Sequence, residues 1–383
     1  MPVAPLPCLR SLFAIPEDVC YLNSAYMSAL LESVRRAGET AVGLKSRPWQ
    51  VKDEHWFERV EQARTLFARL IGASPNDVAL VPSASYGIAT AAQNVPFASG
   101  DTVVVMQDQF PSAVYPWRRK AAGAGGAVVT VSRPADHDWT PPLLDAIDSR
   151  CRVVSVPACH WSDGAQVDLH AVSARARDSG AQLVLDLSQS VGAAPLDLTA
   201  VDPDWICAPA YKWLLGPYSI GFLYAAPRHQ AGVPLEENWI VRAGSEDFSR
   251  LVDYVDDYHE GARRFDMGER SNFILLPMLI AGLEQLLEWG VERIAETLRQ
   301  TNVKLETIAA HHGLRALPPE RRSPHILGLE ASGGLPDGLI PKLAEQSVYI
   351  GLRGNTLRVA PHVHVSDADL QRFDYGLGRA LAN

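Results

Sequence analysis

Between residues 78 and 225, short apolar, β-branched runs alternate with helical or Gly/Ala-rich stretches. Seven of these runs predict strands: VALVPS (78–83), DTVVVMQ (101–107), GAVVTVS (126–132), CRVVSVPACH (151–160), AQLVLDLS (181–188), DWICAPA (204–210) and SIGFLYA (219–225). Continuous apolar runs, rather than strict alternation, predict strands buried on both faces. The segments between them, such as Leu169–Ser179, carry helical spacing. This is the βαβ pattern of an open, mostly parallel sheet covered by helices.

A polar, acidic stretch from Arg250 to Gly268 loosens the pattern. Leu275–Ala310 then has apolar residues at helical spacing, interrupted at Gly290, and a Pro/Arg-rich turn follows at Leu317–Pro324. Apolar runs around His325–Leu329 and Val348–Leu352 lead into a tail that reads as strand, turn and a helix capped near Ser366. The expected division is an N-terminal arm (1–20) packing with the small domain, a large domain (21–255) and a smaller α+β domain (256–383).

Composition narrows the classes. A chain of 383 residues predicts more than one domain, and an apolar fraction of 47% is globular. The net charge of −9, with no basic block, argues against a nucleic-acid groove or an anionic membrane surface. The five cysteines are scattered without a CxxC pair, so neither a disulfide framework nor a zinc site is expected, and a reducing cytoplasm fits. No apolar run reaches membrane-span or signal-peptide length.

Two strand ends carry the chemistry. Asp186 closes the run QLVLD, with Gln189 close behind, and Lys212 stands between Tyr211 and Trp213 after the next run. The separation fits a strand, a crossover and a second strand, so acid and lysine can meet at one sheet edge, where open α/β sheets bind ligands. The chain has only six lysines. An amine that attacks an aldehyde must be partly neutral, and burial lowers a lysine pKa towards that state. Alone, Lys212 reads first as a stem lying on apolar surface, and Asp186 reads as well as a strand-end cap. Together with Gln189 they form the set a pyridoxal phosphate enzyme needs, the carboxylate keeping the ring nitrogen protonated.

Other candidates are weaker singly. Ser83-Ala84-Ser85-Tyr86-Gly87 opens a helical stretch and reads as a phosphate cradle or a simple N-cap. Phe110 can stack on a flat ring or fill a core. Arg358 can grip a carboxylate with two prongs or form a surface ion pair. His362 and His364 are spaced like a metal pair but lack a third ligand, so no metal is expected. Gly123–Gly126 lacks the dinucleotide spacing, and neither a GxSxG elbow nor a GxxxxGK[ST] loop occurs. A nicotinamide oxidoreductase, a hydrolase and a nucleotidase therefore lack their fingerprints.

Together these residues resemble the class V aminotransferase family of fold type I pyridoxal phosphate enzymes, which includes cysteine desulfurases, kynureninase and isopenicillin N epimerase. The likeness runs from YLNSAY (21–26) to LRVAPHVHVSDADL (357–370) and centres on DLSQS and YKWLLGP. It implies an α/β fold with a seven-stranded, mostly parallel sheet and a smaller α+β C-terminal domain. It implies that Lys212 is the Schiff-base lysine, Asp186 the partner of the pyridine nitrogen and Gln189 the residue at the phenolic oxygen. Ala84 and Ser85 would hold the phosphate, Phe110 would stack on the ring and Arg358 would bind the substrate carboxylate. Asn23 and Trp161 fall where relatives line the substrate pocket. Pro209 replaces a phosphate-binding hydroxyl of many relatives, so the Tyr211 hydroxyl is expected to take that contact. A homodimer with shared active sites is also implied, part of Trp239–Phe248 reaching the neighbouring site.

Departures sharpen the expectation. Desulfurases carry a mobile loop with a nucleophilic cysteine before the carboxylate arginine, whereas Tyr349–Arg358 reads YIGLRGNTLR. Tyr211 and Phe110 occupy positions where desulfurases place histidines. The expected activity is transamination of an α-amino acid, then a β-eliminating or C–S lyase (selenocysteine lyase- or kynureninase-like), then an epimerase. A catalytically silent regulatory protein of this fold is the non-enzyme alternative.

Overall fold

The computed structural model describes residues 3–382; Met1, Pro2 and Asn383, at the ends of the expected arm and small domain, lie outside the described residues. All seven expected runs form strands of one sheet: β2 (Val78–Val81), β3 (Thr102–Met106), β4 (Ala127–Val131), β5 (Cys151–Val156), β6 (Gln182–Asp186), β7 (Trp205–Pro209) and β8 (Gly221–Ala225). They follow a short β1 (Cys20–Tyr21). The sheet order is β2-β8-β7-β6-β5-β3-β4. Only β8 runs antiparallel to its neighbours. The ends of β2, β3, β5, β6 and β7 therefore open on one edge.

Helices α1 (Glu32–Lys45), α2 (Glu58–Ile71), α3 (Ala84–Asn94), α4 (Tyr115–Ala124), α5 (Thr140–Ala146), α6 (Leu169–Asp178) and α7 (Leu198–Val201) accompany this sheet. Two apolar clusters, one on each face, bury β2, β3, β5, β6, β7 and β8. Strand β4 departs from the expectation of burial on both faces: it lies at the sheet edge, and most of its residues stay partly exposed. Its sequence looks like its neighbours' because parallel pairing rewards β-branched residues even at an edge.

The Leu275–Ala310 pattern is two helices, α8 (Leu275–Trp289) and α9 (Val291–His311), parted at Gly290. Helix α8 packs on α1 and α2 and joins the core beneath the large sheet. A second sheet contains β9 (Leu314–Ala316) and β10 (Leu327–Ala331). Helix α10 (Leu339–Glu345) follows, then β11 (Val348–Tyr349), β12 (Gly351–Arg353), β13 (Thr356–Val359) and α11 (Asp367–Leu381). Ser366 caps α11 in a reciprocal box with Asp369.

The expected single run Val348–Leu352 is two strands. β11 pairs in parallel with β1, whereas β12 pairs with β13. The N-terminal arm supplies the partner that splits the run. That arm also donates Leu9 N–H to Val363 O at 2.9 Å and ion-pairs Arg10 with Asp369 at 2.7 Å.

Candidate active site

Five strand ends converge. Asp186 is the last residue of β6, and Lys212 follows β7. Phe110 and Trp161 follow β3 and β5, and Ser83 follows β2 as the N-cap of α3. The backbone here is held in uncommon conformations: Asp108, Leu215 and Ser219 have φ of 55°, 55° and 67°. Such left-handed non-glycine residues persist only where the surroundings impose them. Gly192, at φ 95°, lets the loop after Asp186 pass the Lys212 turn; a Cβ there would lie 2.3 Å from Trp213 O.

Phe110, Trp161, Asp186, Gln189 and Lys212 line a single small pocket, together with Gln109, Pro157, Cys159 and Ser188. Lys212 is 6% exposed. Its Nζ lies 5.5 Å from the Phe110 ring centre and 5.3 Å from that of Tyr211. Burial pushes its pKa down to about 8; Asp186 opposes that shift, while Arg358 and Arg353 add to it. A neutral, nucleophilic fraction is thus present near neutral pH. Asp186 Oδ1 accepts from Ser188 N–H at 3.0 Å and from the Ser188 hydroxyl, forming a local turn that orients the carboxylate.

The Gln189 amide is fixed at both ends. Its nitrogen donates to Ala25 O at 3.0 Å, and its oxygen accepts from Trp213 Nε1 at 2.9 Å. One amide N–H remains for a ligand. The segment 23–28 folds over this turn, with Ser28 N–H donating to Tyr211 O at 3.1 Å. The Tyr211 ring packs 4.7 Å from that of Tyr218. Ala84 and Ser85 do not line the pocket; they open α3, where the Ser83 and Ser85 hydroxyls meet at 2.8 Å. His362 and His364 are enclosed, His362 packing on Trp213 and His364 Nε2 meeting Tyr21 O at 2.8 Å.

Arg358 is 1% exposed, and its Nη1 donates to Trp161 O at 2.9 Å. Its Nε and Nη2 are buried without partners. Buried donors left unpaired are costly, so this fork is built for an incoming acceptor. Asn23 joins the same corner: its buried Oδ1 lacks a partner, and a Cβ on Gly351 would lie 3.2 Å from it and 3.6 Å from Arg358 Nε. Trp161 donates Nε1–H to Asp108 O at 2.7 Å and meets Phe110 edge-on at 5.7 Å.

Two pocket features escaped the sequence reading. Cys159 lines the wall, but burial raises its thiol pKa to about 11, so it is not a ready nucleophile. Arg353 lies 5.5 Å from the Trp161 ring centre. Its signal was available: the Gly354-Asn355 pair predicts a tight hairpin that sets Arg353 beside Arg358.

The model of the family described as "Aminotransferase class-V" matches residues 29–358. The chain belongs to the class V aminotransferase family. Among curated relatives it is 27% identical over 380 residues to the uncharacterized aminotransferase YcbU of Bacillus subtilis, covering 94% of each chain. It is 26% identical to kynureninase of Burkholderia mallei, covering 87% of this chain and 81% of that one. Its fold matches a C-DES variant with glycine covalently linked to its PLP cofactor, at a TM-score of 0.86, 18% identity and coverage of 97% and 98%. Cysteine desulfurase CsdA of Escherichia coli matches at a TM-score of 0.79, 19% identity and 97% of each chain. These matches establish the fold type I architecture, and the cofactor of this class V protein is pyridoxal phosphate. The site fits that group, since it offers a buried amine at Lys212 and an oriented carboxylate at Asp186, while the Ser83 and Ser85 hydroxyls stand outside the pocket at the N-terminus of α3.

Proposed function

We propose that the protein acts on an α-amino acid and that its reaction is transamination. The observation that carries the amino-acid part is the buried Arg358 fork, with Nε and Nη2 unpaired beside the Lys212 pocket. The aminotransferase relative matched over 94% of both chains supports the reaction type. The kynureninase relatives support a second reading, lyase-type cleavage at the substrate side chain.

In this reading Lys212 would hold the cofactor aldehyde, Asp186 would keep a proton on the ring nitrogen, and Gln189 would offer its free N–H to the phenolic oxygen. Phe110 would cover the ring, Ser85 and the α3 N–H groups would hold the phosphate, and Tyr211 would add its hydroxyl there. The bound cofactor supplies an electron-withdrawing ring that stabilises negative charge at the substrate α-carbon. Arg358 grips the α-carboxylate and so sets which α-bond is broken, with Trp161 and Asn23 shaping the space around it. Displaced from the aldehyde by the substrate amino group, the Lys212 amine would be free to take the α-proton and return it; its lowered pKa suits a base working near neutrality.

A homodimer belongs to the same reading. Trp239, Phe248, Trp56 and Phe273 form an aromatic cluster in which Trp239 stays partly exposed, a surface suited to a second copy. The five free cysteines support a reducing, cytoplasmic setting. Among the described residues, no helix is long and apolar enough to cross a membrane.

The test is spectroscopic. The protein should be yellow, lose its visible band on borohydride treatment, and never form it as Lys212→Ala. A panel of amino acids in heavy water then separates the reactions: a keto acid with the pyridoxamine form means transamination. Ammonia with pyruvate and a released side-chain group means β-elimination, alanine without ammonia means kynureninase-type cleavage, and α-deuteration with inversion means epimerase. A wild-type protein that takes up no added pyridoxal phosphate would sink the proposal.

A further inference from the structure

The β12–β13 hairpin sets a second arginine on the face that carries Arg358. Gly351 pairs with Arg358 across the hairpin, and Arg353 pairs with Thr356. Directly opposed residues share a face, as do positions two apart on one strand, so Arg353 and Arg358 are diagonal neighbours. The turn holds this register, because Gly354 takes φ 57° at the first central position, as a type II′ hairpin requires. The Trp161 indole covers this face, with the guanidinium carbons of Arg353 and Arg358 at 5.5 and 5.9 Å from its ring centre.

Among the described residues, no carboxylate pairs with either arginine. Burial holds both guanidinium pKa values below the ordinary range, Arg353 lowers that of Arg358 further, and only Tyr26 at Arg353 and Tyr21 and Cys159 at Arg358 oppose this. Arg353 spends one N–H on the neighbouring Leu352 O at 2.7 Å, and Arg358 spends one on Trp161 O. Two like charges on one indole, without an acid between them, are held at an electrostatic cost. A single α-carboxylate balances one of these charges and leaves the other.

We propose that the substrate is an acidic amino acid, its α-carboxylate held by Arg358 and its side-chain carboxylate by Arg353. This rests on the reading of the protein as an enzyme acting on amino acids, and it names their class. Arg353 is only partly buried, so its guanidinium can follow side chains of different length while the buried Arg358 stays fixed. The role given to Arg353 is selection between substrates, without part in proton transfer.

The test uses the holoenzyme and unreactive acids. Titrations followed by the visible band compare glutarate and succinate with butyrate; steady-state kinetics compare L-glutamate and L-aspartate with L-glutamine and L-asparagine. The dicarboxylates and acidic amino acids should be preferred by about 10- to 100-fold. Arg353→Met, with its visible band intact, should reduce that ratio to within about threefold, and Arg353→Lys should restore part of it. Glutarate binding no tighter than butyrate, or a preference that survives in Arg353→Met, overturns the assignment and leaves the cofactor reading standing. A wild-type chain that develops no band removes that reading, and this inference with it.

Discussion

Two buried arginines of this chain live in opposite circumstances. Arg64 is fully enclosed, and each of its nitrogens has a partner. It holds Asp266 in a two-pronged pair at 2.7 and 3.2 Å, bonds Glu61 at 3.0 Å and donates to Val78 O. Arg270 approaches the same carboxylate, which also accepts from Leu80 N–H at 2.6 Å. Arg358 is just as buried but gives one bond to a carbonyl and leaves Nε and Nη2 with nothing. Burial of a guanidinium is expensive in both places. At Arg64 the fold supplies the compensation; at Arg358 the compensation is left to a ligand. The difference separates a residue that holds the protein together from one kept ready for substrate.

Breaking the satisfied site should cost the most. Asp266→Asn leaves two buried guanidinium groups facing a neutral amide and should destabilise the protein by about 3–5 kcal/mol in denaturant unfolding. The same variant has an acid signature. Burial alone would raise the Asp266 pKa, but Arg64 and Arg270 outweigh it and hold the carboxyl below its ordinary range. Its contribution is therefore fully present above the unfolded carboxylate pKa of about 4 and is lost as the pH falls through the folded value. Asp266→Asn should lack that limb of the stability curve. A variant as stable as wild type at neutral pH would show that Arg64 needs no counter-charge, and the comparison would fail.

At the unsatisfied site the loss should appear in function instead. Arg358→Met keeps a long apolar stem but removes the fork. It should lower kcat/KM by an amount worth roughly 2–5 kcal/mol, while the melting temperature holds or rises because an uncompensated charge has left the interior. A drop in stability comparable to that of Asp266→Asn would mean that Arg358 is structural, like Arg64.

The sequence told these two sites apart only in part. The seven sheet strands were visible because buried β-branched runs have few other uses, and Asp186 and Lys212 stood out because each follows such a run. Arg358 was visible as a strand arginine, but its missing partners were not, since pairing depends on what Trp161 and Asn23 place around it. The Arg64–Asp266 pair joins α2 to a loop 202 residues away, and no local pattern announces it. The split of Val348–Leu352 was hidden for the same reason, because its partner β1 lies at the far end of the chain. Gln189 was legible as a polar residue near the site, but its role in holding Trp213 and Ala25 required the folded turn.

The smallest effect links the unpaired arginines to the lysine. In the apoenzyme, the Lys212 pKa is about 8 against an ordinary value of 10.5. The unfolded chain therefore binds more protons between those values, and this residue's penalty on stability fades as the pH rises through that window. Burial dominates the shift, yet Arg358 and Arg353 each push the same way. Removing Arg358 should raise the Lys212 pKa by under about one unit, worth ~1 kcal/mol or less. The reading is the pH dependence of the rate at which apoenzyme captures pyridoxal phosphate: the midpoint should move up in Arg358→Met. No such capture should occur at any pH in Lys212→Met. A midpoint that stays put would mean that solvent already screens the two cations, as it screens exposed charges. The uncompensated charge at Arg358 would then be felt by a bound ligand alone and not by the catalytic amine.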